Sequence, residues 1–163
     1  MVIYYLLLLG KESNSRPNKT DINLISDFNG LIINEESIPE ACARILFEKT
    51  MNMIIEPDEL ELIISNNKLP YIINLNEIIF IYKIDYESNK KIPNYYNRIY
   101  KYLTLCMAPS STNEWLIESC PLGFLDKSEL YWTDIQTIPS NYKLYKKIFL
   151  KRLLASLNKA YIL

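Results

Sequence analysis

A chain of 163 residues, 49% of them hydrophobic, is long enough to bury a core and is expected to form a single domain over residues 1–163. The formal net charge of −1 excludes a global positive field that would recruit nucleic acid, so any RNA contact must be local. The absence of His excludes imidazole as a general base, as the partner of a nucleophile and as a zinc ligand.

The predicted elements begin with a continuous apolar strand over residues 2–9, which ends at Gly10. This run is too short to span a bilayer and no basic region precedes it, so we expect a buried strand and no membrane partner. The three cysteines, Cys42, Cys106 and Cys120, are widely spaced and form no C-x-x-C pair. Their pattern favours a reduced compartment and predicts a cytoplasmic protein.

The first half of the chain then combines short strands with one capped helix. Residues 21–33 read as short strands around a turn. Ser37 is the expected N-cap of a helix that has Pro39 and Glu40 in its first turn and runs to about Thr50. Extended segments are expected after this helix, and the last is the longest: 53–55, 61–64, 70–74 and 77–86.

The second half predicts two helices separated by strands. In chain order these elements are a helix over 94–105, strands over 114–118 and 129–135, and a terminal helix over 141–159. The first of the two helices carries four tyrosines, Tyr95, Tyr96, Tyr100 and Tyr102. Their spacing favours packing against a core, and a stacking platform for bases is the alternative.

The most informative motif surrounds the helix that Ser37 begins. Five residues keep one register without a gap, namely Gly30, Glu36, Arg44, Leu46 and Glu48. This register resembles the Nudix box, G-x5-E-x7-R-E-U-x-E-E-x-G-U, in which U is an aliphatic residue. In that family the arginine is largely structural and ties the helix to the preceding loop, so Arg44 is expected to do the same.

The same motif lacks most of the carboxylates that the Nudix box uses. The glutamate after the arginine is Ile45 here, the second glutamate of the E-E pair is Lys49, and the late glycine is Met51. The frame of the box is therefore present while its metal-binding set is incomplete.

A downstream segment extends the resemblance. Residues 123–132 (GFLDKSELYW) look like the F-x-[ED]-K-x-E-[IL]-x-W segment of Nudix proteins from large DNA viruses and related eukaryotic proteins. Residues 26–28 before the box are similar to their S-D-F-G-G turn, with Asn29 in place of a glycine. The resemblance implies an α/β fold, a Nudix-type α/β/α sandwich with a mixed β-sheet, and for a viral protein it implies the host-cell cytoplasm.

Nudix chemistry explains what the missing carboxylates mean. Members of the family hold Mg²⁺ or Mn²⁺ with glutamates on one helix face, and the metal neutralises a pyrophosphate while water attacks. Glu48 alone remains of that cluster, with the ammonium group of Lys49 beside it. We therefore expect no catalytic set, no bound metal and no cofactor, and Lys49 is predicted to contact a phosphate directly.

The leading hypothesis is a protein that binds a guanine nucleotide or the 7-methylguanosine cap of mRNA without hydrolysis, alone or with protein partners in a viral translation or RNA-handling complex. Cap binding requires aromatic rings around the cationic base and a carboxylate for the guanine edge. The candidate ligand-binding residues are Trp115, Glu118, Tyr131, Trp132 and Lys49.

Two alternatives remain open on the sequence alone. One is a divergent, Mg²⁺- or Mn²⁺-dependent hydrolase that uses Glu48, Glu129 outside the box and a further carboxylate, Glu36 or Glu40. The other is a protein-interaction scaffold whose ligand cleft is filled by side chains.

Overall fold

The computed structural model describes residues 6–13, 21–33, 35–74, 76–106 and 120–160, which form a mixed α/β fold. The strands are β1 (Leu6–Glu12), β2 (Ile25–Ser26), β3 (Tyr71–Asn74), β4 (Glu77–Phe80) and β5 (Lys127–Asp134). The α-helices are α1 (Ile38–Thr50), α2 (Pro57–Ser65), α3 (Tyr86–Asn89), α4 (Ile92–Cys106) and α5 (Lys147–Ala160). Short 3₁₀ helices cover Leu122–Leu125, Ile135–Thr137 and Pro139–Leu144.

The larger sheet is centred on β1, which pairs antiparallel with β2 on one side and with β5 on the other. Leu8 lies opposite Trp132 and Gly10 opposite Leu130, and the register shifts between Lys11 and Glu12. β3 and β4 form a separate antiparallel hairpin. Among the described residues, the parallel component of the predicted mixed sheet is limited to an isolated bridge between residues 25 and 145.

Helices cover both faces of this sheet. Neighbouring strand residues point to opposite sides, and each side packs against a different helix. Leu130 packs in a core cluster with Tyr96 and Leu103 of α4. Leu9 belongs to a second cluster, which includes Phe149 of α5. The described chain is therefore layered as helix, sheet and helix around these two apolar clusters, and a third cluster, which contains Ala43, Leu60 and Ile64, joins α1 to α2.

Hydrogen bonds fix α4 along the outer edge of β5. The side-chain amide of Asn97 donates to the carbonyl of Leu130 at 3.3 Å, and its oxygen accepts from the Leu130 amide at 2.9 Å. The hydroxyl of Tyr96 donates to the carbonyl of Lys127 at 2.9 Å. These contacts determine which face of α4 is buried and which is turned outward.

Three sequence predictions differ from the structure. Residues 53–55, which were expected to be extended, form no strand, and the other two predictions differ for local reasons. Residues 61–64 are helical rather than extended, because Pro57 begins α2 and places Leu60 and Ile64 together on its buried face. The strand predicted over 77–86 ends at Phe80. The amide of Ile81 still bonds the carbonyl of Pro70, but proline has no N–H with which to continue the ladder.

The other long elements agree with the sequence more closely. The helix predicted over 94–105 is α4, and the strand predicted over 129–135 is β5. The terminal helix predicted over 141–159 is divided into the 3₁₀ helix Pro139–Leu144 and α5. The strand predicted over 114–118 lies outside the described residues. Within the described ranges, no helix is both long and apolar enough to cross a membrane.

Candidate functional site

The candidate site is built on α1, whose start the local sequence specifies. Ser37 has extended backbone angles, and its hydroxyl accepts a hydrogen bond from the amide of Glu40 while the Glu40 carboxylate accepts one from the Ser37 amide. This reciprocal capping box satisfies two amides that the first helical turn leaves without partners. The predicted N-cap and the predicted end of the helix at Thr50 are both confirmed.

Arg44 ties α1 to the loop before it. Its guanidinium makes a two-pronged ion pair with Glu36, at 2.5 and 3.0 Å, and donates to the carbonyl of Leu31 at 2.8 Å. The Glu36 carboxylate also accepts a hydrogen bond from the amide of Ile33, at 3.0 Å. The expected structural role of Arg44 therefore has a direct geometric basis in this chain.

These hydrogen bonds also set the charge state of the loop. Hydrogen bonding to Arg44 lowers the pKa of the Glu36 carboxyl, and the same contact raises the pKa of Arg44. Hydrogen bonds to the hydroxyl and amide of Ser37 lower the pKa of Glu40. Both carboxylates are thus held in their charged form by internal donors.

At Ile45, where the motif that the sequence resembles has a glutamate, an apolar side chain fills the space. A Cβ on Gly30 would lie 2.6 Å from Cγ1 of Ile45, so the loop passes directly over that side chain. Gly30 is therefore required by this close approach. A metal cannot use this position, because its side chain offers no oxygen.

Glu48, the remaining box carboxylate, is enclosed by protein groups. Its side chain lies against Gly123, where an added Cβ would come within 2.5 Å of it, and its carboxylate is 3.5 Å from the guanidinium of Arg44. The side chain is 23% exposed. The charge of the Glu48 carboxylate is thus partly balanced by the Arg44 guanidinium, without a bound metal.

Lys49, at the position of the second glutamate of the pair, forms a buried ion pair. Its ammonium group is 2.5 Å from the Asp126 carboxylate, and the two side chains are 11% and 3% exposed. The contact joins α1 to the segment that leads into β5. A phosphate contact by Lys49 remains a prediction, and it requires the ligand to compete with this carboxylate.

The end of α1 retains the backbone geometry that a glycine would favour. Met51, which occupies the place of the late glycine of the box, has φ 52° and ψ 42° in the left-handed region. Its amide donates to the carbonyl of Phe47, and this bond closes the helix. The turn is therefore kept although its residue type is unusual for that conformation.

A second buried charge cluster lies beside the first, and the sequence reasoning missed it. The ammonium group of Lys127 donates to the Glu12 carboxylate at 2.6 Å, to the hydroxyl of Ser26 at 2.7 Å and to the carbonyl of Asp27 at 2.9 Å. Its side chain is 1% exposed. The one sequence feature that pointed to Lys127 was its place in the segment 123–132, which gave this lysine no role.

The two members of this pair respond differently to burial. Burial alone would raise the pKa of Glu12, but the charge and hydrogen bond of Lys127, with further donors from Ser26 and Lys146, lower it to about 2. Burial lowers the pKa of Lys127 to about 8, because it outweighs the attraction of Glu12. The two pKa values differ in this way because the partners of the two groups differ. Glu12 faces two ammonium groups, whereas Lys127 faces one carboxylate and two neutral oxygens.

Arg152 of α5 contacts the loop before α1 through Asp27. The sequence did not predict this contact either. Its guanidinium contacts both carboxylate oxygens of Asp27, at 3.0 and 3.2 Å, and both oxygens of Glu77, at 2.6 and 3.2 Å. The hydrogen bond to Arg152 lowers the pKa of Glu77. One cation thereby connects the loop, the β3–β4 hairpin and α5.

The aromatic candidates on β5 lie on opposite faces of the sheet. Trp132 is on the α4 side, where its ring meets Tyr86 edge to face at 5.3 Å between centroids. Tyr131 points to the other side, and its burial, with the nearby charge of Glu129, raises its pKa. Neighbouring strand residues cannot enclose one base together, so at most one of these two rings faces a given ligand.

The remaining predicted residues are dispersed. Glu129 is an exposed side chain on β5, 3.5 Å from Lys11 on the adjacent strand. Trp115 and Glu118 lie outside the described residues. The indole N–H of Trp132 is buried and, in the described part of the chain, has no acceptor.

An open groove of about 520 Å³ runs beside α1. Its lining contains four carboxylates and one guanidinium: Glu35, Glu36, Glu40, Arg44, Phe47, Pro57 and Glu61. The lining disfavours a polyphosphate and suits a cationic group. Across the described ranges, no three carboxylate or thiol side chains are placed so that they could hold a metal ion together.

Comparison with protein-family models, with curated proteins and with solved structures gave no significant match.

Proposed function

We propose that this chain is a Nudix-type protein that binds a nucleotide or the 7-methylguanosine cap of mRNA in the cytoplasm and does not hydrolyse it. The observation that carries the non-hydrolytic part of the proposal is the buried ion pair between Lys49 and Asp126. It fills the box position at which a Nudix enzyme has a metal-binding glutamate, and it satisfies the cation internally.

The family assignment within this proposal rests on the frame of the box. A capped helix starts at Ser37, Arg44 locks the loop through Glu36, and the backbone is left-handed at Met51, where the box has glycine. These three features occur at the spacing of the motif, and each has a local physical cause. The helix–sheet–helix layering is compatible with the proposed sandwich.

The absence of hydrolysis follows from the contents of the frame. Ile45 offers no metal ligand, Lys49 is a cation, and Glu48 lies beside Arg44. Mg²⁺ and Mn²⁺ require several oxygen ligands, of which this helix face supplies one carboxylate. The proposed protein therefore needs no metal or other cofactor for binding.

Selectivity for a methylated base is expected from the groove beside α1. Methylation at N7 gives the guanine ring a positive charge, and the groove offers the ring of Phe47 together with the carboxylates of Glu61 and Glu35. Trp132, which does not line this groove, is the proposed stacking residue at a second position, because its ring meets Tyr86 edge to face and its N–H lacks an acceptor within the described ranges. The variants Trp132→Ala and Glu61→Gln, described below, distinguish these two positions.

The test is a tryptophan-fluorescence titration with m7GTP and GTP, each in chelator and in Mn²⁺, followed by chromatography of the nucleotide. Metal-independent quenching that is stronger for m7GTP, with the nucleotide intact, is the expected result. Metal-dependent conversion to m7GMP or m7GDP would instead establish a hydrolase, and Glu48→Gln should then abolish it. No response in any condition would overturn the nucleotide proposal.

Variants locate the ligand by calorimetry. Trp132→Ala should weaken m7GTP binding by about 1–3 kcal/mol if its ring stacks on the base. Tyr131→Ala, on the opposite face of the same strand, is the matched control and should leave affinity unchanged. Glu61→Gln should reduce the preference for m7GTP over GTP if the groove holds the methylated base. A lower melting temperature with unchanged affinity would assign Trp132 to the core alone.

A second candidate function, protein interaction, is favoured by the loop before α1. Leu31, Ile32 and Ile33 are 82%, 56% and 45% exposed, although Arg44 and Glu36 hold their backbone in place. Three consecutive exposed aliphatic side chains on an ordered loop are typical of a docking surface. Ile32→Asp should release a co-purifying protein partner without lowering stability, whereas Thr137→Asp, an exposed polar position elsewhere, should not.

A further inference from the structure

The two faces of α4 differ sharply in burial. Tyr96 and Leu103 are 0% and 8% exposed and pack in the core, whereas Tyr95 and Tyr102 are 53% and 58% exposed. The predicted tyrosine cluster is therefore divided: Tyr96 serves packing, and the outer pair is accessible from solvent.

The outer tyrosines share one face of the helix with a guanidinium. Tyr95, Arg98, Ile99 and Tyr102 are spaced by three or four residues and line a shallow depression of about 290 Å³. A rise of 1.5 Å per residue separates the two tyrosines by about 10 Å along the helix, with Arg98 between them. Two exposed rings on either side of a cation form a surface on which flat groups can stack.

The charged side chains of α4 itself have one sign. No Asp or Glu occurs between Ser88 and Cys106, a stretch that contains Lys90, Lys91, Arg98 and Lys101. Lys90 pairs with Glu87 at 2.6 Å. Among the described residues, no carboxylate pairs with Arg98 or Lys101, and both side chains are exposed. A local positive surface is thus present on a chain whose net charge is −1.

We propose that the outer face of α4 binds single-stranded RNA by stacking unpaired bases on Tyr95 and Tyr102, with Arg98 and Lys101 contacting the backbone phosphates. Base stacking on aromatic side chains tolerates any sequence, because every base has a π-face. The positive charge supplies the attraction for phosphate. This inference extends the proposed function, since it rests on RNA as the ligand but places the body of the RNA, rather than its capped end, on α4.

The probe is an uncapped, fluorescein-labelled oligouridylate of about 12 nucleotides, a length within the range of single-strand binding sites. Its binding to the full chain is measured by fluorescence anisotropy at several salt concentrations. Tyr95→Ala and Tyr102→Ala should each weaken binding by about 5- to 150-fold, whereas Tyr95→Phe should retain it. Arg98→Ala should weaken binding and reduce the slope of affinity against salt by about one.

Tyr142→Ala is the matched control, because Tyr142 is 56% exposed on a different segment and should not affect the oligouridylate. Absence of oligouridylate binding, or equal affinity of the wild type and both α4 alanine variants, would overturn the inference. An equal loss in Tyr142→Ala would do so as well.

Parallel titrations with m7GTP separate this inference from the proposed function. The α4 variants should bind m7GTP as the wild type does, because a mononucleotide does not reach across this face. A protein that binds m7GTP but not oligouridylate contradicts only the α4 assignment. The opposite result, oligouridylate binding that depends on Tyr95 and Tyr102 without m7GTP binding, contradicts only the nucleotide site.

Discussion

The two ends of α1 hold their charges in different environments. Near its start, Arg44 and Glu36 keep side chains that are 25% and 19% exposed, and their contacts organise a surface loop. At its last turn, the pair of Lys49 with Asp126 and the nearby pair of Lys127 with Glu12 are almost fully enclosed, at 11% exposure or less. A buried charge that loses its partner is costly, whereas an exposed one is resolvated. The first pair therefore positions a loop, and the second pairs determine whether the fold is stable.

The strongest way to test this distinction is to remove the most buried cation. Lys127→Met should lower the free energy of unfolding by about 3–5 kcal/mol, because it leaves the Glu12 carboxylate buried without its principal partner. Urea denaturation measures the loss. Lys11→Met on the neighbouring surface pair is the control and should cost less than about 1 kcal/mol.

A second substitution keeps this prediction informative if the single variant folds poorly. Lys127→Met combined with Glu12→Leu removes both charges and should recover much of the lost stability. A loss below about 1 kcal/mol in Lys127→Met would show that the pair is not the buried cross-link described above.

Acid should break the same pair from the other side. The pKa of Glu12 in the folded protein is lowered from 4.5 to about 2, so its contribution is complete above pH 4.5 and is lost as the pH falls from 4.5 to 2. The expected loss is about 3 kcal/mol. Comparing the unfolding free energies of the wild type and Glu12→Gln from pH 7 to pH 2 isolates this group. The difference between the two proteins should shrink across that window, and a constant difference would contradict the assignment.

The Lys49 pair is slightly more accessible, and a substitution there also tests the proposed absence of a metal site. Lys49→Glu places a second carboxylate against Asp126 and should cost about 3 kcal/mol in chelator. Mn²⁺ should restore part of that stability, since the new carboxylate, Asp126 and the neighbouring Glu48 can supply oxygen ligands. Lys49→Met removes the charge without adding a ligand and should show no response to Mn²⁺. Thermal melts with and without Mn²⁺ decide, and an equal response of the two variants would argue against a latent metal position.

The sequence was sufficient to predict those features whose stabilising contacts lie within a few residues of one another. Ser37 and Glu40 satisfy each other's amides, so the start of α1 follows from residues three positions apart. The expected contact of Arg44 with the loop came instead from the resemblance to a family motif. Only the start of α1 followed from the spacing of residues within the helix.

The buried cations could not be obtained in this way, because their partners are distant in the chain. Lys49 is 77 residues from Asp126, and Lys127 is 115 residues from Glu12. A lysine in isolation is expected at the surface, and only tertiary pairing reverses that expectation. The strand predicted over 77–86 was too long for a related reason, since Pro70, which directly precedes the partner strand β3, cannot continue the ladder.

The smallest effect is expected at the exposed end of α1, where a change should be felt locally. Arg44→Lys keeps the charge but loses the planar fork that contacts Glu36 and the carbonyl of Leu31 together. The global unfolding free energy should change by less than about 1 kcal/mol. Hydrogen exchange at the amide of Ile33 should nevertheless become faster, because the Glu36 carboxylate that accepts its hydrogen bond is no longer held in place. A global loss comparable to that of Lys127→Met would mean that both ends of α1 support the fold equally, and the contrast between a loop-positioning pair and fold-stabilising pairs would then fail.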